Sequence, residues 1–138
     1  MKTKTNRRLT EAEQKERAAI IRSGAVYRGE DMDDYAHFSE MTPETARKLL
    51  NMGYANPEDS QNDSPTFEEM TVFCEQHPGF KLHGYVIGND RDDARVTAEG
   101  IQGTAQNIEA MLDFVEMFRY ADECDTDHKT LSCFCWYD

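Results

Sequence analysis

The sequence reads KLHGYVIGNDRDDARVTAEGI over residues 81–101, and this stretch decides the fold class. Apolar and polar residues alternate from Lys81 to Ile87 and again from Ala94 to Ile101, with a short polar segment between the two runs. Alternation of this kind is typical of strands with one buried face. Two such runs joined by a polar turn predict a β-hairpin, the best-defined supersecondary unit of the chain.

Helix start signals lie on both sides of this hairpin. We expect helices to begin at Thr10, at Thr42-Pro43, at Ser64-Pro65 or Thr66, and near Gly103-Thr104. A threonine hydroxyl accepts a hydrogen bond from a free backbone amide at a helix start, and proline fits the first helical position. Glutamates at Glu13 and Glu69 complete possible capping boxes. The last helix has a full apolar stripe, formed by Ile108, Met111, Leu112, Val115 and Phe118.

The rest of the chain completes a small sheet. Residues 130–137 alternate again and predict a third strand, after a polar break at residues 122–129. The spacing of three between Tyr35, Phe38 and Met41 predicts a short helical turn. The fold expected is α+β, with helices packed on one face of a small, mostly antiparallel three-stranded sheet.

Charge divides the chain into two parts. Residues 1–30 have eight basic and four acidic side chains and contribute +4, and the whole chain has a formal charge of −12, so residues 31–138 carry −16. We expect residues 1–9 to be a flexible basic arm and residues 10–138 to be a single domain. The acidic body repels phosphate backbones, so nucleic-acid binding is expected only through residues 1–9. A protein partner with a basic surface suits the acidic body better than a nucleic acid does.

Several absences narrow the class of protein. No run approaches the roughly 18 apolar residues of a membrane helix, and no apolar core follows the basic N-terminus as in a secretory signal. Four cysteines are too few for a disulfide scaffold. We therefore expect a cytoplasmic protein that does not bind membranes, and the sequence leaves its oligomeric state open.

Three stretches of the sequence resemble a known group of proteins. They are QNDSPT at residues 61–66, GYV at residues 84–86 and DRDDARVTAEG at residues 90–100. Together they resemble small uncharacterised accessory proteins of bacterial mobile elements, over roughly the middle third of the chain. The resemblance implies a bacterial cytoplasm and a mobile-element context. No catalytic motif is attached to that family, so no functional residue is carried over.

Four residues near the C-terminus have side chains that zinc accepts, namely Cys124, His128, Cys133 and Cys135. Their spacing does not match a zinc motif. Cys133 and Cys135 belong to a strand-like run, which puts both thiols on one face with alpha carbons about 6.6 Å apart. This placement favours two buried cysteines that act as small apolar residues.

A second thiol lies close to an imidazole. Cys74 and His77 are one helical turn apart, so they are a possible nucleophile pair. Cys74 also lies on an apolar stripe with Phe67 and Met70, which favours a core thiol. We therefore predict no metal, no cofactor and no catalytic residue. A small zinc- or cysteine-dependent enzyme remains the alternative.

The candidate partner-binding residues lie at the hairpin tip and at the C-terminus. Asp90, Asp92 and Asp93 either keep the turn solvated or form an acidic patch for a basic partner. Trp136 and Tyr137 are either core residues of the last strand or an exposed contact patch, since aromatic residues are enriched in interface hot spots.

The leading hypothesis is a non-enzymatic protein-interaction or regulatory module. A sharper version is an acidic inhibitor of a basic nucleic-acid-binding or defence protein, which presents carboxylates where phosphates would lie. A weak DNA-binding accessory protein that uses residues 1–9 is a further alternative.

Overall fold

The computed structural model describes residues 3–29, 35–88 and 91–138, which form a helical layer on one face of a sheet. The helices in these residues are α1 (Glu11–Gly24), α2 (Pro43–Asn51), α3 (Phe67–Gln76) and α4 (Ile108–Phe118). The strands are β1 (Val26–Tyr27), β2 (Tyr35–Met41), β3 (Phe80–Ile87), β4 (Arg95–Thr104), β5 (Glu123–Asp127) and β6 (Ser132–Trp136). The predicted α+β class is confirmed.

The strands form one antiparallel sheet in the order β1-β2-β3-β4-β6-β5. The predicted hairpin is confirmed as β3 and β4 at its centre, where Leu82 lies opposite Ile101. The third predicted strand is β6, which lies beside β4. The expected three-stranded sheet is wrong, because the described residues form six strands.

A β-bulge explains why the sequence does not reveal β2. The spacing of Tyr35, Phe38 and Met41 predicts a helical turn, but these residues lie in a strand that pairs with β3. The register of that pairing shifts between Phe38 and Met41, where Glu40 has a φ of 53°. One extra residue at the bulge turns Phe38 and Met41 to the same buried face despite their odd spacing.

The edge position of β5 explains the other missed strand. Residues 122–129 read as a polar break, yet Glu123–Asp127 pairs with β6. Four of its five side chains are exposed and none is fully buried. The strand therefore lacks the alternation that would identify it.

The helix starts agree with the expected caps in three cases. Thr10 and Thr66 each form a capping box, and Thr42 caps α2 with Pro43 in the first turn. The last helix begins later than expected, after Asn107, because Thr104 still belongs to β4.

The core lies between the helices and the sheet. Four phenylalanine rings from α3, β3 and α4 pack together at its centre, namely Phe73, Phe80, Phe114 and Phe118. The stripe on α4 is only partly covered, since Ile108 and Leu112 remain 49% and 59% exposed. None of the helices in the described segments has the length and apolarity to cross a lipid bilayer.

The described part of the predicted arm, residues 3–9, contacts the rest of the molecule. The backbone amide of Lys4 donates to the Gly53 carbonyl at 2.8 Å, and that of Asn6 donates to the Ala94 carbonyl at 2.7 Å. Leu9 is buried in the core. These contacts join residues 3–9 to the end of α2 and to the start of β4.

Candidate functional site

The sheet face opposite the helices carries a groove of about 500 Å³. Four strands contribute to it, because side chains that alternate away from the core all point to this face. Its main walls and floor are formed by Tyr35, His37, His83, Glu99, Phe134 and Trp136. We call these six residues the aromatic groove.

A glycine allows the strands to approach each other at the floor of the groove. A Cβ atom on Gly100 would collide with the carbonyl oxygen of Cys135 and lie 2.9 Å from Nε2 of His83. The β3–β4 register also shifts at this point, between His83 and Gly84. The imidazole of His83 thereby reaches across β4, and its Nε2 donates to the Cys135 carbonyl at 2.8 Å.

Glu99 is the less exposed of the two carboxylates that line the groove. Its side chain is only 12% exposed, and Oε2 accepts a hydrogen bond from Nε1 of Trp136 at 3.3 Å. Oε1 lies 3.9 Å from Nδ1 of His37. Burial raises the pKa of Glu99, and the contacts with Trp136 and His37 oppose that shift. The carboxylate is thus partly removed from water while its charge is only weakly compensated.

The aromatic walls are held by their neighbours. The ring of Tyr35 stacks on Tyr85 at a centroid distance of 5.5 Å, and its hydroxyl lies 3.2 Å from Nε2 of His37. His83 stacks on Phe134. Burial lowers the pKa of His83, so this imidazole is neutral at physiological pH.

Further carboxylates lie beside the groove. In β5, Glu123 lies opposite Trp136 and Asp125 lies opposite Phe134, so these acidic side chains share the face of the groove. Asp138, which is exposed, lines the groove itself. Lys81 also lies on this face, opposite Gln102 of β4. The side of the groove next to β5 is therefore strongly acidic.

The sheet places the two predicted aromatic residues, Trp136 and Tyr137, on opposite faces. Trp136 lies in the groove, as an interface residue would, whereas Tyr137 is 3% exposed and belongs to the core. The backbone amide of Tyr137 donates to the Glu99 carbonyl at 2.8 Å. Tyr137 therefore positions the end of β6 and is not available to a partner.

The predicted acidic patch at the hairpin tip is only partly described, since Asp90 lies outside the described residues. Asp93 accepts hydrogen bonds from Arg91 at 2.9 Å and from Arg95 at 3.0 Å. Asp92 is 3.5 Å from the guanidinium of Arg8. Arginines thus offset the charge of both described aspartates, and the carboxylates near the groove are the stronger acidic feature.

The four residues whose side chains suit zinc do not converge on one point. Cys133 and Cys135 are buried towards the helices, Cys124 lies opposite Cys135, and His128 is exposed in the turn between β5 and β6. Within residues 3–29, 35–88 and 91–138, no group of three or more histidine, cysteine or acidic side chains could hold a metal ion. Burial raises the pKa of Cys135 to about 12, so its thiol is protonated at neutral pH.

The possible nucleophile pair on α3 makes other contacts. Cys74 is buried, and burial raises the pKa of its thiol. The imidazole of His77 contacts the Phe73 carbonyl through Nδ1 at 2.9 Å and the Asp113 carboxylate through Nε2 at 3.2 Å. A protonated thiol beside an engaged imidazole lacks the activation that a cysteine nucleophile requires.

Of the six groove residues, only Trp136 was predicted as a site residue. The sequence analysis missed the other five, namely Tyr35, His37, His83, Glu99 and Phe134. The alternation of β3 and β4 already places His83 and Glu99 on the outer face of the hairpin, which is the available sequence signal. The contribution of β2 has no such signal, because its strand is not recognised. No protein-family model, curated protein or solved structure matches the chain.

Proposed function

We propose that the protein is a non-enzymatic interaction module that binds a basic protein partner on the open face of its sheet. The observation that carries this proposal is the combination of the aromatic groove with the carboxylates of Glu99, Glu123, Asp125 and Asp138 on that face. Aromatic residues supply contact area for a partner, and carboxylates select a partner of positive charge.

The overall charge supports the same partner. The net charge of −16 over residues 31–138 attracts a basic surface over long range and accelerates encounter at low salt. A narrower proposal follows from the resemblance to mobile-element accessory proteins. In that proposal the module inhibits a basic nucleic-acid-binding or defence protein by covering the surface that otherwise holds phosphates.

The DNA-binding alternative has weaker support. Three basic side chains of residues 3–9 lie within ion-pair distance of carboxylates, in the pairs Lys4–Glu16, Arg7–Glu13 and Arg8–Asp92. Binding to phosphates would have to compete with these pairs. The enzyme alternative rests on four cysteines, and burial raises the pKa of each of their thiols, which disfavours the reactive thiolate.

The test is affinity capture from a bacterial lysate at low and high salt, with bound proteins identified by mass spectrometry. The bait proteins are the unaltered chain, the variant E123Q/D125N and the control E109Q/E116Q, which removes two exposed carboxylates from α4 instead. We expect basic proteins that bind the unaltered chain and the control at low salt, and that bind E123Q/D125N much less. Equal capture by both variants would contradict the assignment of binding to the open face.

A further inference from the structure

We propose that the aromatic groove is a receptor for one arginine side chain of the basic partner, with Glu99 as the carboxylate that binds its guanidinium group. This inference rests on the proposed function and names the part of the partner that enters the groove. The arginine site comprises Glu99 and the aromatic walls of the groove, whereas the proposed function involves the whole open face of the sheet.

Glu99 has acceptor capacity to spare. An ionised carboxylate offers about four lone-pair sites, and the described contacts use few of them. The bond from Trp136 is long at 3.3 Å, and the 3.9 Å separation from His37 exceeds hydrogen-bond distance. Within the described residues, no lysine or arginine lies within ion-pair distance of Glu99. A cation from outside would supply the missing compensation.

The raised pKa of Glu99 agrees with this geometry. Burial is its largest cause, which means that the carboxylate has lost water without gaining a full positive charge in exchange. A bound guanidinium would restore that charge balance in a setting where water screens it weakly.

The walls favour arginine over lysine. A guanidinium is planar, stacks on aromatic rings and donates two parallel hydrogen bonds to one carboxylate, whereas an ammonium is a compact and strongly hydrated point charge. Tyr35 is 49% exposed, and Phe134 and Trp136 are half-buried, so ring surface is available beside Glu99. Stacking on these rings adds a cation–π contribution.

The protein has a built-in reporter for this binding, because Trp136 is its single tryptophan. The experiment titrates the full chain at low salt with two peptides, KKGRGKK and KKGKGKK, and follows Trp136 fluorescence. The peptides have equal charge and no aromatic residue, so any change in emission comes from the protein. We expect the arginine peptide to bind about tenfold more tightly than the lysine peptide and to alter the emission more.

Two variants separate the inference from the proposed function. Glu99→Gln keeps an oxygen acceptor for Trp136 but removes the charge, so we expect it to abolish the preference for arginine. Glu116→Gln on α4 should retain the preference. Equal affinity for both peptides, with binding lost in E123Q/D125N, would overturn the arginine receptor and leave the acidic module standing. No salt-sensitive binding of either peptide would contradict both.

Discussion

The imidazole ring of His83 lies flat against the phenyl ring of Phe134, with centroids 5.2 Å apart and ring planes 4° from parallel. The same imidazole donates to the Cys135 carbonyl across Gly100. β3 and β6, which are not neighbours in the sheet, are thus joined over the intervening β4. One wall of the groove is therefore held by a contact that also stabilises the sheet.

The buried imidazole makes stability depend on pH. Because burial lowers the pKa of His83 below its ordinary 6.5, the unfolded chain binds this proton more readily than the folded protein. Stability should fall as pH decreases through about 6.5. We expect His83→Gln to reduce this dependence, measured by urea unfolding between about pH 7.5 and pH 5. The substitution leaves every other titratable side chain in place, so an identical slope in the variant would show that His83 is not the titrating group.

Gly100 should be intolerant of any side chain. A Cβ atom there meets the carbonyl oxygen of Cys135, which cannot move without separating β4 from β6. We expect Gly100→Ala to lower the free energy of unfolding by about 1–3 kcal/mol and to shift the emission of Trp136. Unchanged unfolding and unchanged emission would together contradict the close approach of the two strands.

Glu13 should contribute stability that acid removes. Its side chain bonds to Arg7 at 2.8 Å and to the Thr10 amide at 2.9 Å, and these contacts lower its pKa from an ordinary 4.5 to about 2. The contribution is fully present above the unfolded value and is lost as pH falls to about 2. Glu13→Gln retains a residue that suits the capping box but removes the charge.

We expect Glu13→Gln to reduce the free energy of unfolding by about 1 kcal/mol at neutral pH, with the difference vanishing in acid. Glu11→Gln is the matched control, because Glu11 is an exposed carboxylate in the same first turn of α1. A difference between Glu13→Gln and the unaltered protein that stays constant with pH would contradict the proposed cause.

Arg47 joins α2 to α3. Its guanidinium bonds to Glu75 at 2.7 Å and to Glu68 at 2.8 Å, and the hydrogen bond from Arg47 lowers the pKa of Glu75. We expect a double-mutant cycle of Arg47→Met and Glu75→Gln to give a favourable coupling of about 0.5–1 kcal/mol. Coupling indistinguishable from zero would show that the pair is a surface contact without energetic weight.

Local patterns predicted the parts of the fold that depend on near neighbours. The hairpin follows from alternation over residues 81–101, and the starts of α1 and α3 follow from the capping boxes of Thr10 and Thr66. Two strands, β2 and β5, were not predicted, and the physical reasons differ. The bulge at Glu40 hides the period of β2, and the exposure of β5 removes the polar and apolar contrast on which the prediction depends.

Most of the candidate site could not be predicted, because it depends on pairing between strands that are distant in the sequence. Trp136 could be singled out because aromatic residues are enriched in interface hot spots, but its contact with Glu99 depends on the pairing of β4 with β6. His37 reaches Glu99 only because β2 pairs with β3, and β2 is a strand that the sequence does not reveal. Contacts of this range are set by the sheet and not by spacing along the chain.

The position of β5 has a consequence for how the protein behaves at high concentration. A strand from a second copy could add to this free edge, and repeated addition would build a fibre. In an in-register stack, the side chains of Glu123, Asp125 and Asp127 would each meet their own counterparts, and like charges would repel. This protection lasts only while the carboxylates are ionised. We therefore expect polymerisation through this edge to require acidification, because crowding alone leaves the repelling charges in place.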